Sequence, residues 1–273
     1  MMKNIQDLVD IHESYKKSMF ELGVELQFWQ HFITQWSIPE YRKQFGDRLM
    51  NSAIYVTYDN SPMQSEINLK CSPDAHYIHS KDLELQSNEL FNWVMNHSLV
   101  RAYNAWEILL LRAINSAYLH LPVKSYSSRR EVNKIHTAVV KALAIPTDRT
   151  NNNHLIQFLK ENCPEFQSWT QLPMRIDLPT NRENFFYMIS VLRHCIVHQG
   201  MVIYRDTVND LHSRGCKNLF NRHFHLVDAG NDSSEIRPVQ ETFINVLALI
   251  TELAVNTLKF MSGQQDLQFL RMH

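Results

Sequence analysis

Glycine is scarce in this chain, with 6 in 273 residues. Phosphate-cradling loops and dinucleotide-binding turns need clustered glycines so that backbone can approach the ligand closely. No P-loop, G-x-G-x-x-G, G-x-S-x-G or H-E-x-x-H pattern is present. Cysteine is sparse too, and Cys71, Cys163, Cys195 and Cys216 contain no C-x-x-C pair. That spacing indicates neither a zinc site nor a thioredoxin-like redox motif, and it fits a reducing compartment. An excess of one charge is also missing: 27 Lys+Arg stand against 28 Asp+Glu, for a net charge of −1 with 14 histidines uncounted. A strongly basic domain is the usual footprint of a nucleic-acid binder, so any such contact here must come from a local patch. No apolar run approaches the ~20 residues of a membrane span, and the N-terminus lacks a signal-peptide apolar stretch. The reading is a soluble cytoplasmic protein with no membrane partner, no cofactor and no metal.

What is abundant is apolar residues, at 44% of the chain, arranged mostly with helical periodicity. One stretch departs from the pattern. Arg193-His194-Cys195-Ile196-Val197-His198, followed by Gln199-Gly200, sets a guanidinium and two imidazoles into an apolar segment just before a helix stop. Imidazole moves protons near neutral pH, and guanidinium holds phosphate through a planar donor fork. Together they are the groups needed to cut a phosphodiester without a metal. Thr180 and Glu183 read as a capping box, Pro179 helps set the boundary, and Gly200 suits a left-handed helix close. These signals predict a helix over 181–199. Phe185, Ile189, Leu192 and Ile196 form its core stripe, while Tyr187, Val191, His194 and His198 share the opposite face with Arg193 on the flank.

Arg193, His194, three residues and His198 resemble the ribonuclease motif of the HEPN superfamily (higher eukaryote and prokaryote nucleotide-binding domains). The resemblance covers about residues 87–262. It implies a bundle of antiparallel helices; residues 1–86 carry no resemblance and read as an N-terminal helical extension and loop, and 263–273 as a loose tail. The resemblance implies a metal-independent endoribonuclease with Arg193 and His198 catalytic and His194 beside them. It also implies a homodimer whose two motifs share one active site, a toxin or defence role, and an antitoxin or regulatory partner such as a nucleotidyltransferase. Many members carry a Glu on an early helix facing the motif, and Glu107 fits that place. Two plainer alternatives stay open. Histidine near a helix C-terminus is favoured by the macrodipole without any chemistry, and the chain could be a non-catalytic module that binds a nucleotide, an RNA or a protein.

Elsewhere, residues 4–36 read as one or two helices and 88–119 as the longest helix, apolar all round. His97, Arg101, Asn104 and Glu107 form a polar stripe on it. Glu107 would orient Arg193 or a histidine, or Arg101, Asn104 and Glu107 satisfy one another along the helix. Arg101, Asn104 and Tyr187 are candidate substrate contacts. Lys124, Arg129, Arg130, Lys134 and Lys141, with Tyr126 and His136 among them, are the only local basic cluster. It is either a nucleic-acid backbone track or a solvated face. Helices are expected over 129–145 and 151–163, with Asn151 as a cap for the second. An irregular stretch follows over 164–179, and a strand is expected at 201–204. A β-hairpin is expected over 223–237 and a last helix over 239–261. Residues 51–58 read as a strand or a helix end, and 59–86 as a loop. His223 with His225, and His76 with His79, lack a third ligand and read as plain residues.

Overall fold

The computed structural model of the chain describes residues 5–32, 35, 39–40, 43, 50–51, 55–56, 69–70, 77–78, 83–144, 153–175 and 178–263. They form a mainly helical bundle with small antiparallel sheets, as the glycine scarcity and the 3.6-residue periodicity predict. Asn151, His76, His79, Cys71 and the tail beyond Gly263 lie outside the described residues. The chain divides into two compact units, Gln27–Val94 and a larger one made of Met1–Leu26 with Met95–His273.

In the larger unit, helix α1 (Ile5–His31) supplies residues up to Leu26. Leu8, Ile11, Tyr15, Leu22 and Leu26 recur at three- and four-residue multiples and are all buried, which is the single apolar stripe of an amphipathic helix. Helix α2 (Leu83–Ile114) is different. From Met95 onward it buries Leu99, Ala102, Tyr103, Trp106, Leu109, Leu110, Leu111, Ala113 and Ile114, so it is apolar around much of its circumference and central in the unit. The expected run to 119 ends instead in a π-helical turn, Asn115–Leu119, closed by His120 at a φ of 53°. Asn115 holds this widened turn by bonding Leu121 through both side-chain atoms and the Tyr126 hydroxyl.

Helix α3 (Arg129–Ala142), helix α4 (Asn153–Asn162) and helix α5 (Pro164–Thr170) follow. An irregular stretch was expected from 164, yet Pro164 starts a helix, because the first helical position has no amide to lose. Among the strands of this unit, β5 (Pro173–Arg175) and β6 (Leu178–Asn181) pair antiparallel and lead into helix α6 (Arg182–His198). Phe185, Phe186, Met188, Ile189, Leu192, Cys195 and Ile196 bury the inner face of α6, each large side chain contributing about 1.5–3 kcal/mol.

Strand β7 (Val202–Tyr204) comes next. Helices α7 (Arg205–Ser213) and α8 (Lys217–His223) follow, joined through Gly215 at a φ of 80°; neither was read from the sequence. The hairpin β8 (Phe224–Gly230) and β9 (Ser233–Pro238) joins β7 in an antiparallel sheet of order β7-β9-β8. His223 ends α8 and is buried while His225 is exposed on β8, so the two imidazoles share no strand face. Helix α9 (Gln240–Ser262) buries Phe243, Val246, Leu249, Ile250 and Leu253 among others. By length and composition it is the one helix among the described residues that could cross a membrane, which the sequence reading missed. Half of its most apolar window is buried, and buried residues recur from Phe243 to Met261, as in the core helix of a bundle. Cys163, Cys195 and Cys216 are free thiols, all buried.

The smaller unit holds the end of α1 and the start of α2. It also has two short antiparallel strand pairs, β1 (Met50–Asn51) with β4 (Tyr77–Ile78) and β2 (Tyr55–Val56) with β3 (Leu69–Lys70). β1 and β2 fall at the segment 51–58 read as a strand or a helix end, whereas β3 and β4 fall inside 59–86, which was expected to be a loop.

Candidate functional site

Helix α6 carries the arginine–histidine motif, and local sequence fixes both its ends. Asn181, not Thr180, caps it: the Asn181 side-chain oxygen accepts the Asn184 amide at 2.8 Å, the ordinary N-cap bond. The expected capping box does not form. The Thr180 hydroxyl donates to the Gly215 carbonyl at 2.8 Å, and the Glu183 carboxylate takes Lys160 Nζ at 2.8 Å. Arg182 lies over the Trp169 ring, 4.7 Å from its centroid. At the other end the amides of Gln199 and Met201 both donate to the Cys195 carbonyl. Gly200 and Met201 take φ of 63° and 68°. Glycine adopts that region freely, whereas Met201, with its Cβ, pays on the order of 1 kcal/mol for it. The turn is thereby held sharply after His198.

On this last stretch Arg193 Nη1 donates to His198 Nε2 at 3.4 Å. Arginine has no acceptor, so in this contact the neutral His198 ring carries its proton on Nδ1 and presents a lone pair at Nε2. The His194 ring stands beside His198, with centroids 5.0 Å apart. Both histidines are exposed, while Arg193 is half-buried. Among the described residues no carboxylate lies within ion-pair distance of Arg193, and its Nε hydrogen is buried without a partner. A guanidinium with unspent donors, partly withdrawn from water, is suited to an incoming anion.

Behind it sits Glu107 on α2, half-buried. Burial pushes its carboxyl above the usual range, and the nearby Arg193 charge opposes that rise. Glu107 was expected to orient Arg193 or a histidine as a residue facing the motif helix; the histidine that stands near it is His136 on α3, whose Nε2 lies 4.0 Å from Glu107 Oε1. His136 Nδ1 in turn meets His154 Nε2 on α4 at 2.7 Å. Burial, with His154 second, pushes His136 down to about 4.

The unfolded imidazole binds its proton near pH 6.5. Between that pH and about 4 the unfolded chain therefore holds one more proton than the folded chain at this position. The contribution of His136 to stability is thus complete above pH 6.5 and is lost as pH falls through that interval. His12, His212 and His223 are lowered mainly by burial and act in the same sense; Glu107, raised, acts in the opposite one. Thermal melting from pH 7 to 4.5 is expected to show a falling midpoint, and His136→Leu to flatten the curve. A midpoint that rises on acidification contradicts this account.

The other sequence candidates scatter. Asn104 is half-buried one turn before Glu107. Arg101 is committed to an ion pair with Glu25 on α1, so it satisfies neither Asn104 nor Glu107. Tyr187 donates to Asp210 Oδ2 at 2.7 Å, and Arg214 lies 4.1 Å over its ring. It fastens α7 to α6, leaving little for a substrate. Lys124, Arg129 and Arg130 are exposed at the start of α3. Arg130, Asn133, Lys134, Thr137 and Lys141 line an open groove of about 620 Å³, and Lys134 is paired with Glu131 at 2.6 Å. His154 was missed, and His136 was noticed only among its basic neighbours. No three His, Cys, Asp or Glu among the described residues are arranged to hold a metal ion. No family model, no curated protein and no solved structure matches this chain.

Proposed function

We propose that this chain is a metal-independent endoribonuclease of the HEPN type. The observation that carries the reading is the half-buried Arg193, its donors largely unspent, 3.4 Å from the lone pair of an exposed His198. His198 Nε2 takes the proton of a ribose 2′-OH. The 2′ oxygen then bonds to the adjacent phosphorus, the bond from phosphorus to the 5′ oxygen breaks, and that oxygen leaves with a proton. The products are a 2′,3′-cyclic phosphate and a 5′-OH end. Arg193 N–H groups hold the phosphoryl oxygens as their charge grows, an effect that strengthens where water is thinned. His194 positions substrate beside them, and Lys124, Arg129 and Arg130 supply weaker attraction for the backbone. A second copy of the chain, bringing its own Arg193 and His198, would complete the site with the acid. A toxin or defence role, and restraint by an antitoxin, follow from the motif resemblance.

The test is incubation of purified protein with end-labelled RNA in EDTA, beside the same strand with 2′-deoxyribose. Cleavage of RNA alone, leaving cyclic phosphate ends, is the expected result. Equal cutting of both strands, or cutting only after Mg²⁺ is added, overturns the mechanism. Binding of RNA or a nucleotide with no cleavage moves the assignment to a non-catalytic module.

A further inference from the structure

We propose that His136 and His154 form an imidazole pair that positions Glu107, and through it Arg193, within the site. The inference deepens the ribonuclease reading and depends on it only where cleavage is measured.

Four helices contribute one group each: Glu107 from α2, His136 from α3, His154 from α4 and Arg193 from α6. A neutral imidazole has one donor and one acceptor, so the 2.7 Å contact between His136 Nδ1 and His154 Nε2 forces opposite roles on the two rings. If His136 Nδ1 donated, its Nε2 lone pair would face Glu107 Oε1 at 4.0 Å, which an ionised carboxylate disfavours. If His154 Nε2–H donates, His136 carries its proton on Nε2 and turns an N–H toward that carboxylate. The charge on Glu107 therefore selects the second arrangement. Glu107 then has the His136 N–H turned toward it at 4.0 Å, an electrostatic separation rather than a formed hydrogen bond, and the more distant Arg193 charge favours the same ionised form.

The burial argues that the pair has a purpose beyond packing. His154 is 6% exposed, and two imidazoles enclosed among helices cost more than two leucines unless their polar atoms are matched. One line of that matching, through His136, runs toward Glu107. Among the described residues the carboxylate makes one ionic contact, with His136, and feels the Arg193 charge from beyond ion-pair distance. Losing the imidazole leaves Glu107 with the guanidinium alone.

The experiment has one arm that needs no activity. The Glu107 carboxyl is followed by ¹³C NMR across a pH titration, assigned with Glu107→Gln, in wild type and in His136→Leu. The leucine variant is expected to raise the Glu107 midpoint by about 0.5 pH unit or more, since an N–H is withdrawn from the ionised form. His136→Gln, which can present an N–H at a similar reach, is expected to restore most of it. An unchanged Glu107 curve in a folded His136→Leu protein overturns the proposal. If that variant does not fold, His136→Phe, which keeps a planar ring but has no N–H to offer, is read in its place by the same criterion.

The second arm is a double-mutant cycle on single-turnover RNA cleavage. His136→Leu is expected to slow cleavage about tenfold, with no further loss when added to Glu107→Gln, because both act through one carboxylate. Fully additive losses overturn the positioning role. Absence of any cleavage by wild type, alongside a Glu107 midpoint that responds to His136, overturns the ribonuclease reading and leaves the pairing intact.

Discussion

His198→Ala is expected to slow RNA cleavage by roughly 100- to 10,000-fold, the range for removing a positioned general base. The fold should hardly notice: His198 is exposed at the helix end, where substitutions stay within about 0.5 kcal/mol. Arg193→Ala is expected to cost about 100- to 1,000-fold in rate, as loss of a donor to a developing oxyanion does. It should also cost stability, because it strips Glu107 of the nearby cation that favours its ionised form. The discriminating variant is Arg193→Lys. It keeps the charge that Glu107 feels but loses the planar fork, so melting should recover while cleavage stays low. Rates are to be measured under single-turnover conditions in EDTA beside thermal melts. Wild-type rates in both alanine variants would remove Arg193 and His198 from the mechanism.

Trp106→Ala is expected to be the most damaging core substitution near the site, at about 3–5 kcal/mol. Domain stability is only about 5–15 kcal/mol in total, so this variant should be close to unfolding at 37 °C. Trp106 is 3% exposed. It stacks on Phe186 of the motif helix with centroids 5.1 Å apart, and meets Tyr103 at 5.3 Å. Trp106→Phe should behave quite differently. The indole Nε1 is buried with no hydrogen-bond partner among the described residues, and removing an orphaned donor recovers desolvation that offsets the lost ring volume. The phenylalanine protein is expected within about 1 kcal/mol of wild type. Urea melts of the two variants decide it. Equal damage from both would mean that the indole N–H is engaged or that its volume cannot be spared.

The helix 181–199 was legible because its signals are local. Gly200 closes it as expected, and the apolar stripe of Phe185, Ile189, Leu192 and Ile196 is buried. The cap was misjudged by one residue because two candidate caps are adjacent; the choice was made by Gly215, whose carbonyl takes the Thr180 hydroxyl 35 residues away in sequence. Distance along the chain also hid the partners of Arg101 and Tyr187, which come from Glu25 and from Asp210 and Arg214. His136 looked like part of a basic cluster because Lys134 is two residues away. On a helix that step turns the side chain by about 200°, away from the lysine and toward Glu107. His154 gave no sign at all, since its partner lies on another helix and nothing in its own neighbourhood distinguishes it. Helices α7 and α8 escaped notice because nine and seven residues are too few for a periodic pattern to stand out.

Cys195 lies between His194 and Ile196, with its thiol in the core and pushed up to about 11 by burial. Cys216, in the turn ahead of α8, is pushed up to about 11 in the same way. Thiols held protonated and enclosed react slowly with electrophiles and disulfides, so in the native chain these sulfurs are silent. They speak only when their surroundings part. Labelling of Cys195 in native buffer therefore acts as a clock on the opening of the very helix turns that carry Arg193 and His198, one that runs without a substrate.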